Sequence, residues 1–218
     1  MEVNIMGNKN FIKSRPVVAS CVPCKVYRFN MNQFFQIGMG IKHGLTIAQV
    51  RAYAKPEFNS SQMFQIKEGF EKGLTMEQVS IYARPEFSSF KMFELKQCFV
   101  YGVPLAQIEE CINQQLKPLQ IYEIGLGFRA GLSMEQVSIY ARPEFNSSQM
   151  FQIKEGFEKG LTMEQVSIYA KPEFSHVKME TICNCFRKGL TIEDVEPLLT
   201  MEYDKMELYI KNKFRIRV

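Results

Sequence analysis

The stretch Asn59–Ala83, NSSQMFQIKEGFEKGLTMEQVSIYA, returns without a change at Asn146–Ala170, 87 positions later. That displacement is three times 29, and glycine stands at 44, 73, 102, 131, 160 and 189, each 29 residues from the last. Self-similarity at such a period marks a repeat architecture, in which each unit buries its apolar face against its neighbours. Working outward, full units run over 45–73, 74–102, 103–131, 132–160 and 161–189. Residues 16–44 read as a degenerate N-terminal capping repeat, in which Gln33, Phe34, Ile37 and Gly40 match Gln62, Met63, Ile66 and Gly69. Residues 1–15 have no periodicity and read as a leader. Residues 190–218 read as a divergent C-terminal capping repeat, with Met201-Glu202-Tyr203 in place of Pro-Glu-Phe and a following loop two residues shorter.

Each unit predicts two helices. Thr75 with Gln78 forms a capping box, as do Thr46/Gln49, Ser133/Gln136 and Thr162/Gln165: the hydroxyl accepts from an otherwise unpaired N–H of the first turn and the glutamine reaches back. A short helix follows, with Met76, Val79 and Ala83 on its inward face. Pro85 ends it, because the residue before a proline is driven out of the α region. A second cap, Asn59/Gln62 or Asn146/Gln149, opens a longer helix with Met63, Ile66 and Phe70 as its buried stripe, and Gly73 supplies the left-handed residue that closes it. Neither helix is long enough to persist alone in water, so stacking must hold both. The expected fold is an all-α αα-hairpin repeat solenoid of 29-residue period. Unit 103–131 departs from the pattern: Pro104 replaces the capping hydroxyl, Cys111 the tyrosine and Asn113-Gln114-Gln115-Leu116 the basic-Pro-Glu-Phe turn. It is either a drifted repeat, or a hinge or specialised contact site.

Composition excludes several classes. No apolar run approaches the roughly 18 residues of a membrane span, and the apolar stretch around Val17–Ala19 is too short and too close to proline for a signal peptide; a cytoplasmic location, bacterial or host, is expected. Cys21 and Cys24 form one C-x-x-C without the second pair that a zinc site needs. Cys98, Cys111, Cys183 and Cys185 read as core cysteines, with Cys98 and Cys185 in the places of Gly69 and Gly156, where a small side chain is required. Residues 1–44 carry six Lys/Arg against one Glu and 211–218 four against none, so the body between them holds 17 basic and 22 acidic residues, a net of −5. A nucleic-acid-binding array spreads positive charge over one continuous face, and this pattern does not.

Several ladders recur with the period. Gln49, Gln78, Gln107, Gln136 and Gln165 could read bases, but their spacing from Thr/Ser gives them a capping duty. Tyr53, Tyr82, Tyr140 and Tyr169 could stack on a ligand, or pack between units with a wetted hydroxyl. Lys55, Arg84, Arg142 and Lys171 each precede a proline and are followed by Glu57, Glu86, Glu144 and Glu173, an alternation suited to local ion pairs or a mixed-charge protein interface. Phe35, Phe64, Phe93, Tyr122 and Phe151 lie beside the buried stripe of the long helix; unless neighbouring units consume them, they form an aromatic strip of the kind that anchors protein interfaces. His43 and His176 occupy unrelated positions. No Ser/His/Asp set, paired carboxylate motif or phosphate-cradling glycine loop is present, so neither catalytic residues nor a cofactor or metal is expected.

The unit GLTMEQVSIYARPEF…QMFQIKEGFEKG resembles short helical-hairpin repeats of gut Firmicutes proteins and their phages or mobile elements, over about 45–189. That resemblance implies an interaction protein, in one setting an anti-CRISPR-like inhibitor of a bacterial defence system. The GLT-x-EQV opening is also similar to mitochondrial transcription terminator repeats, which implies duplex DNA as the alternative partner; the acidic body departs from that family. The expected function is non-enzymatic protein binding through the basic and aromatic ladders.

Overall fold

The structure is a computed structural model that describes residues 29–216, and every regular element among them is helical. Six helices have twelve residues each: α1 (Met31–Lys42), α3 (Ser60–Glu71), α5 (Ser89–Val100), α7 (Pro118–Arg129), α9 (Ser147–Glu158) and α11 (His176–Arg187). Between them run shorter helices: α2 (Ile47–Tyr53), α4 (Met76–Tyr82), α6 (Leu105–Asn113), α8 (Met134–Tyr140) and α10 (Met163–Tyr169). α12 (Ile192–Val195), a 3₁₀ turn over Glu196–Leu199 and α13 (Tyr203–Ile216) follow. The leader and the Cys21/Cys24 pair lie outside the described residues.

Local chemistry fixes the helix ends. The predicted capping boxes form at Thr46, Asn59, Thr75, Ser133, Asn146 and Thr162. Each long helix closes on a Schellman motif: Gly73 at φ +85° donates to Phe70 O and Leu74 donates to Gly69 O, at 2.9 and 3.0 Å. Only a residue at ease at positive φ turns the chain there. The short helices end differently. Ala83, at φ −74° and ψ 66°, makes an inverse γ-turn in which Arg84 N donates to Tyr82 O at 2.8 Å, and Phe87 N then donates to Arg84 O. The proline lies inside this second turn, three residues past the last helical residue.

Each long helix packs against the next, from α1 on α3 through to α9 on α11, and the short helices sit against the long ones that flank them. The predicted stripe is buried: Met63 and Ile66 are fully covered and Phe70 nearly so. The short helices turn Val79 and Tyr82 inward, but Met76 is 48% exposed, as are Ile47, Met134 and Met163 to similar degrees. This corrects the expected inward face. The inward direction is set by Val79 and Tyr82, and Met76, the first helical residue, lies a full turn ahead of that contact.

The tyrosines are the deepest large side chains, with Tyr53, Tyr82, Tyr140 and Tyr169 all at 0% exposure. Their hydroxyls are not wetted. Those of Tyr53, Tyr82 and Tyr140 donate to the backbone carbonyls of Gln36, Gln65 and Glu123 at 3.2–3.5 Å. Each hydroxyl occupies the space that a side chain would take at Gly40, Gly69, Gly127 or Gly156; a methyl group on any of these would overlap it. Where the tyrosine is lost the glycine is lost with it. Cys98 stands opposite the Cys111 unit, and Cys185 stands one period after Gly156 where Leu198, one period after Tyr169, is buried. The pairs trade volume, as close-packed interiors require.

A second contact ties every long helix but α5, where Lys91 stands in the glutamine's place and lies over Phe87, to the turn of the following unit. The amide of Gln62, whose oxygen caps its own helix, donates to Pro85 O and Phe87 O in the following turn at 2.9 and 2.7 Å. Gln149 does the same to Pro172 O and Phe174 O, Gln33 reaches Phe58 O and Gln120 reaches Phe145 O, each of these last two at 2.7 Å. In the last unit the ammonium of Lys178 takes over, bonding Leu199 O and Met201 O at 2.8 and 3.1 Å. Gln149 and Pro172 are 23 residues apart, Lys178 and Leu199 only 21. The two-residue shortening therefore precedes the turn, and Leu199-Thr200-Met201, not Met201-Glu202-Tyr203, stands in for Pro-Glu-Phe. In unit 103–131 the basic-Pro-Glu-Phe turn is replaced by a second Schellman motif with Gln115 at φ 55°, which still buries Leu116 where the other units bury phenylalanine.

Two stability outcomes follow from these contacts. Gln149→Ala removes a cap and leaves two buried carbonyls unpaired, so urea denaturation should show a loss of about 2–4 kcal/mol. Gln165→Ala, an exposed cap of the same residue type, should cost no more than about 1 kcal/mol. Equal losses would contradict the bridging role. Gly69→Ala should destabilise by about 1–3 kcal/mol through overpacking, and the double variant Gly69→Ala/Tyr82→Leu should lose clearly less than the sum of its single changes. Strict additivity would show that the two positions do not share space.

Candidate functional site

The capping and Schellman contacts fix where each long helix begins, and so place its fifth residue at the same level on successive helices. Those residues are Phe35 on α1, Phe64 on α3, Phe93 on α5, Tyr122 on α7 and Phe151 on α9. Phe64, Tyr122 and Phe151 are each 41% exposed, Phe35 more so, and Phe93 is half-buried. The core does not consume them. Three residues on, at a spacing that stacks side chains on one helix face, Lys67, Lys96 and Lys154 place their ammonium groups 5.2, 4.9 and 5.0 Å from the ring centres of Phe64, Phe93 and Phe151. These lysines are almost wholly buried. A buried ammonium requires partners. Lys67 bonds Glu71 at 2.7 Å, which also meets His43 Nδ1 at 2.7 Å. Lys96 crosses from α5 to Glu68 and to Gln65 Oε1 of α3. Lys154 lies 3.1 Å from Glu158 and 3.7 Å from Glu123 of α7. Burial would raise the Glu71 carboxyl, but its hydrogen bonds with Lys67 and His43 outweigh this and hold it below the usual range.

Beside the rings runs an acceptor ladder that sequence reasoning missed: Gln36, Gln65, Glu94, Glu123 and Gln152. Its signal was present, since these residues directly follow the aromatic positions and are all acceptors. On α7 the lysine is replaced by Gly125, whose absent side chain makes room for Cys98 Sγ and the Tyr101 ring. Two consequences follow. Glu94 of α5 has no ammonium reaching it from α7 as Gln65 has from α5; burial pushes its carboxyl up to about 7, with Lys96 opposing. Tyr122 has no lysine of its own over its ring. Glu123 is also raised by burial, against the pull of Lys154.

The basic ladder forms, without the local ion pairs expected of it. Lys55, Arg84, Arg142 and Lys171 lie 4.9–5.9 Å from the ring centres of Phe58, Phe87, Phe145 and Phe174, each within its own turn. Among the described residues none is ion-paired with Glu57, Glu86, Glu144 or Glu173. Lys55 and Arg142 are exposed; Arg84 and Lys171 are half-buried. Their contact with a ring is local, so the ladder and the aromatic strip are separate features.

Cys98, Cys111, Cys183 and Cys185 are buried and unlinked. Burial raises all four thiols, Cys111 and Cys185 to about 11, which keeps them protonated and poor as nucleophiles. Among the described residues no group of three or more His, Cys, Asp or Glu is arranged to hold a metal, and no helix is long and apolar enough to cross a membrane. No protein-family model matches the chain, and comparisons with curated proteins and with solved structures give no match.

Glu94 gives the site a measurable pH signature. Its folded pKa, about 7, lies above the ordinary 4.5, so the folded state keeps a proton that the unfolded chain releases. Stability is therefore lost as pH rises from about 4.5 to about 7. Glu94→Gln should match the parent protein near pH 4.5 and exceed it by about 1–3 kcal/mol at pH 8 in urea denaturation. A difference independent of pH would mean that the carboxyl is ionised in the folded state without penalty.

Proposed function

We propose that the chain is an αα-hairpin solenoid of 29-residue period and acts as a non-enzymatic scaffold for protein binding, with the aromatic strip as its contact surface. The observation that carries this reading is the half-exposure of Phe64, Tyr122 and Phe151, at equivalent places on helices that pack in succession. Aromatic rings held rigidly at a surface, with an apolar face and little entropy left to lose, are the usual anchors of protein interfaces. The buried lysines below support the reading because they fix the rings without covering them. An inhibitor of a bacterial defence system, the setting that the repeat resemblance implies, is a scaffold of this kind. The basic ladder forms the rim of this surface, its cations resting on rings of their own turns.

The test pairs capture with a surface variant. Tagged protein should retain a defined bacterial protein, identified by mass spectrometry, and Phe64→Ala/Phe151→Ala should lose at least tenfold in affinity for it. That variant should melt within a few degrees of the parent, since both rings are largely outside the core. Equal binding by the variant would remove the strip from the interface. Tight retardation of DNA or RNA with a steep salt dependence would replace the reading with nucleic-acid binding.

A further inference from the structure

We propose that the groove between α7 and α9 is an arginine-binding subsite, taking the guanidinium of a partner protein's arginine side chain between Tyr122 and Phe151. The inference rests on the protein-binding reading and gives the partner its chemistry. The groove encloses about 340 Å³, and Tyr122, Phe151, Glu123, Gln152 and His176 line it. This is close to the lower end of the volumes that hold small ligands, and suited to one long side chain.

Three features select a cation with several N–H donors. First, Glu123 and Gln152 are each only 7% exposed; Gln152 Oε1 has no hydrogen-bond donor, and Glu123 Oε2 has only the Lys154 ammonium at 3.7 Å, beyond hydrogen-bond distance. Buried acceptors of this kind carry a desolvation cost that a donor relieves. The terminal torsions of both side chains are soft, so either oxygen can turn toward the groove. Second, the local charge is unbalanced: the ammonium of Lys154 is shared between Glu158 at 3.1 Å and Glu123 at 3.7 Å, one cation for two carboxylates. An anion would be repelled here and a second cation accommodated. Third, the ring of Tyr122 lacks the lysine whose ammonium lies against Phe64, Phe93 and Phe151, because Gly125 holds that place. An incoming cation finds an aromatic face whose attraction its own helix has not used. A planar guanidinium can lie flat on such a ring while its edge donates to two acceptors, whereas a lysine ammonium has no planar face to stack.

The test uses the whole protein and three peptides, acetyl-Gly-Gly-Xaa-Gly-Gly-amide with Xaa as arginine, lysine or citrulline, titrated by NMR. The arginine peptide should saturate, with shifts centred on Tyr122 and Phe151; the lysine peptide should bind at least threefold more weakly, and the neutral citrulline peptide should not bind. Glu123→Gln keeps the shape and should weaken the arginine peptide at least tenfold. Glu193→Gln, which removes an exposed carboxylate on α12, should leave it unchanged. The melting curve of each variant separates loss of binding from loss of fold, and Tyr122→Leu offers a second route to the same loss if Glu123→Gln is unstable. Absence of saturation, equal binding of citrulline or lysine, or insensitivity to both Glu123→Gln and Tyr122→Leu would overturn the proposal. Because no captured partner is needed, the subsite can fail while strip-dependent capture succeeds, and the reverse outcome would sink the scaffold reading alone.

Discussion

The side-chain amide of the long-helix glutamine joins local to long-range order. Its oxygen completes the cap of its own helix, and its two N–H donors hold the carbonyls of the next turn, as Gln62 holds Pro85 and Phe87. A turn built around proline leaves carbonyls without helical partners, and once buried they require donors. Glutamine supplies two from one planar group whose position is already set by the cap. The start of one helix therefore fixes the position of the next turn, and that turn fixes the start of the next helix. Lys178 preserves the link after the two-residue deletion because an ammonium on a flexible stem can reach carbonyls that have moved.

Volume is conserved across the same junctions by exchange. A buried tyrosine needs a glycine opposite it, and its hydroxyl needs the carbonyl exposed by that close approach. When the tyrosine becomes Cys111 or Leu198, the glycine becomes Cys98 or Cys185, and the thiols are filler with no redox setting. Interiors of this density transmit any mismatch, so such positions change together or cost stability.

Charge follows another logic. Three lysines are buried beneath the aromatic strip, each held by carboxylates or amides from its own or a neighbouring helix. Charge burial of this kind stabilises little in net terms, but it selects one arrangement, since any shift leaves a charge unpaired. Where Gly125 breaks the lysine ladder, the imbalance appears on both sides of α7: Glu94 is pushed toward neutrality, and Glu123 shares a single ammonium with Glu158. The odd unit thus sets the oxygens of Glu123 and Gln152 that lack a hydrogen-bond donor beside a half-exposed ring that has no lysine of its own.

Much of the helical architecture was legible in the chain itself. The capping boxes, the glycines that end the long helices, and the stripe of Met63, Ile66 and Phe70 are dictated by neighbours within four residues, and local rules suffice for them. The aromatic positions were legible as well, because the period places them. What the amino-acid order did not reveal depended on contacts 17 to 31 residues away: the hydroxyl of Tyr82 at Gln65, the amide of Gln62 at Phe87, Lys96 at Gln65. Met76 reads as an inward residue by periodicity, yet only the position of the adjacent helices decides that it faces solvent. Lys55 and Arg84 pattern as ion-pair partners of nearby glutamates, but the turn swings them over Phe58 and Phe87 instead. Spacing along a helix sets which side chains share a face; which of those faces is covered, and by what, is settled only when the next helix packs against it.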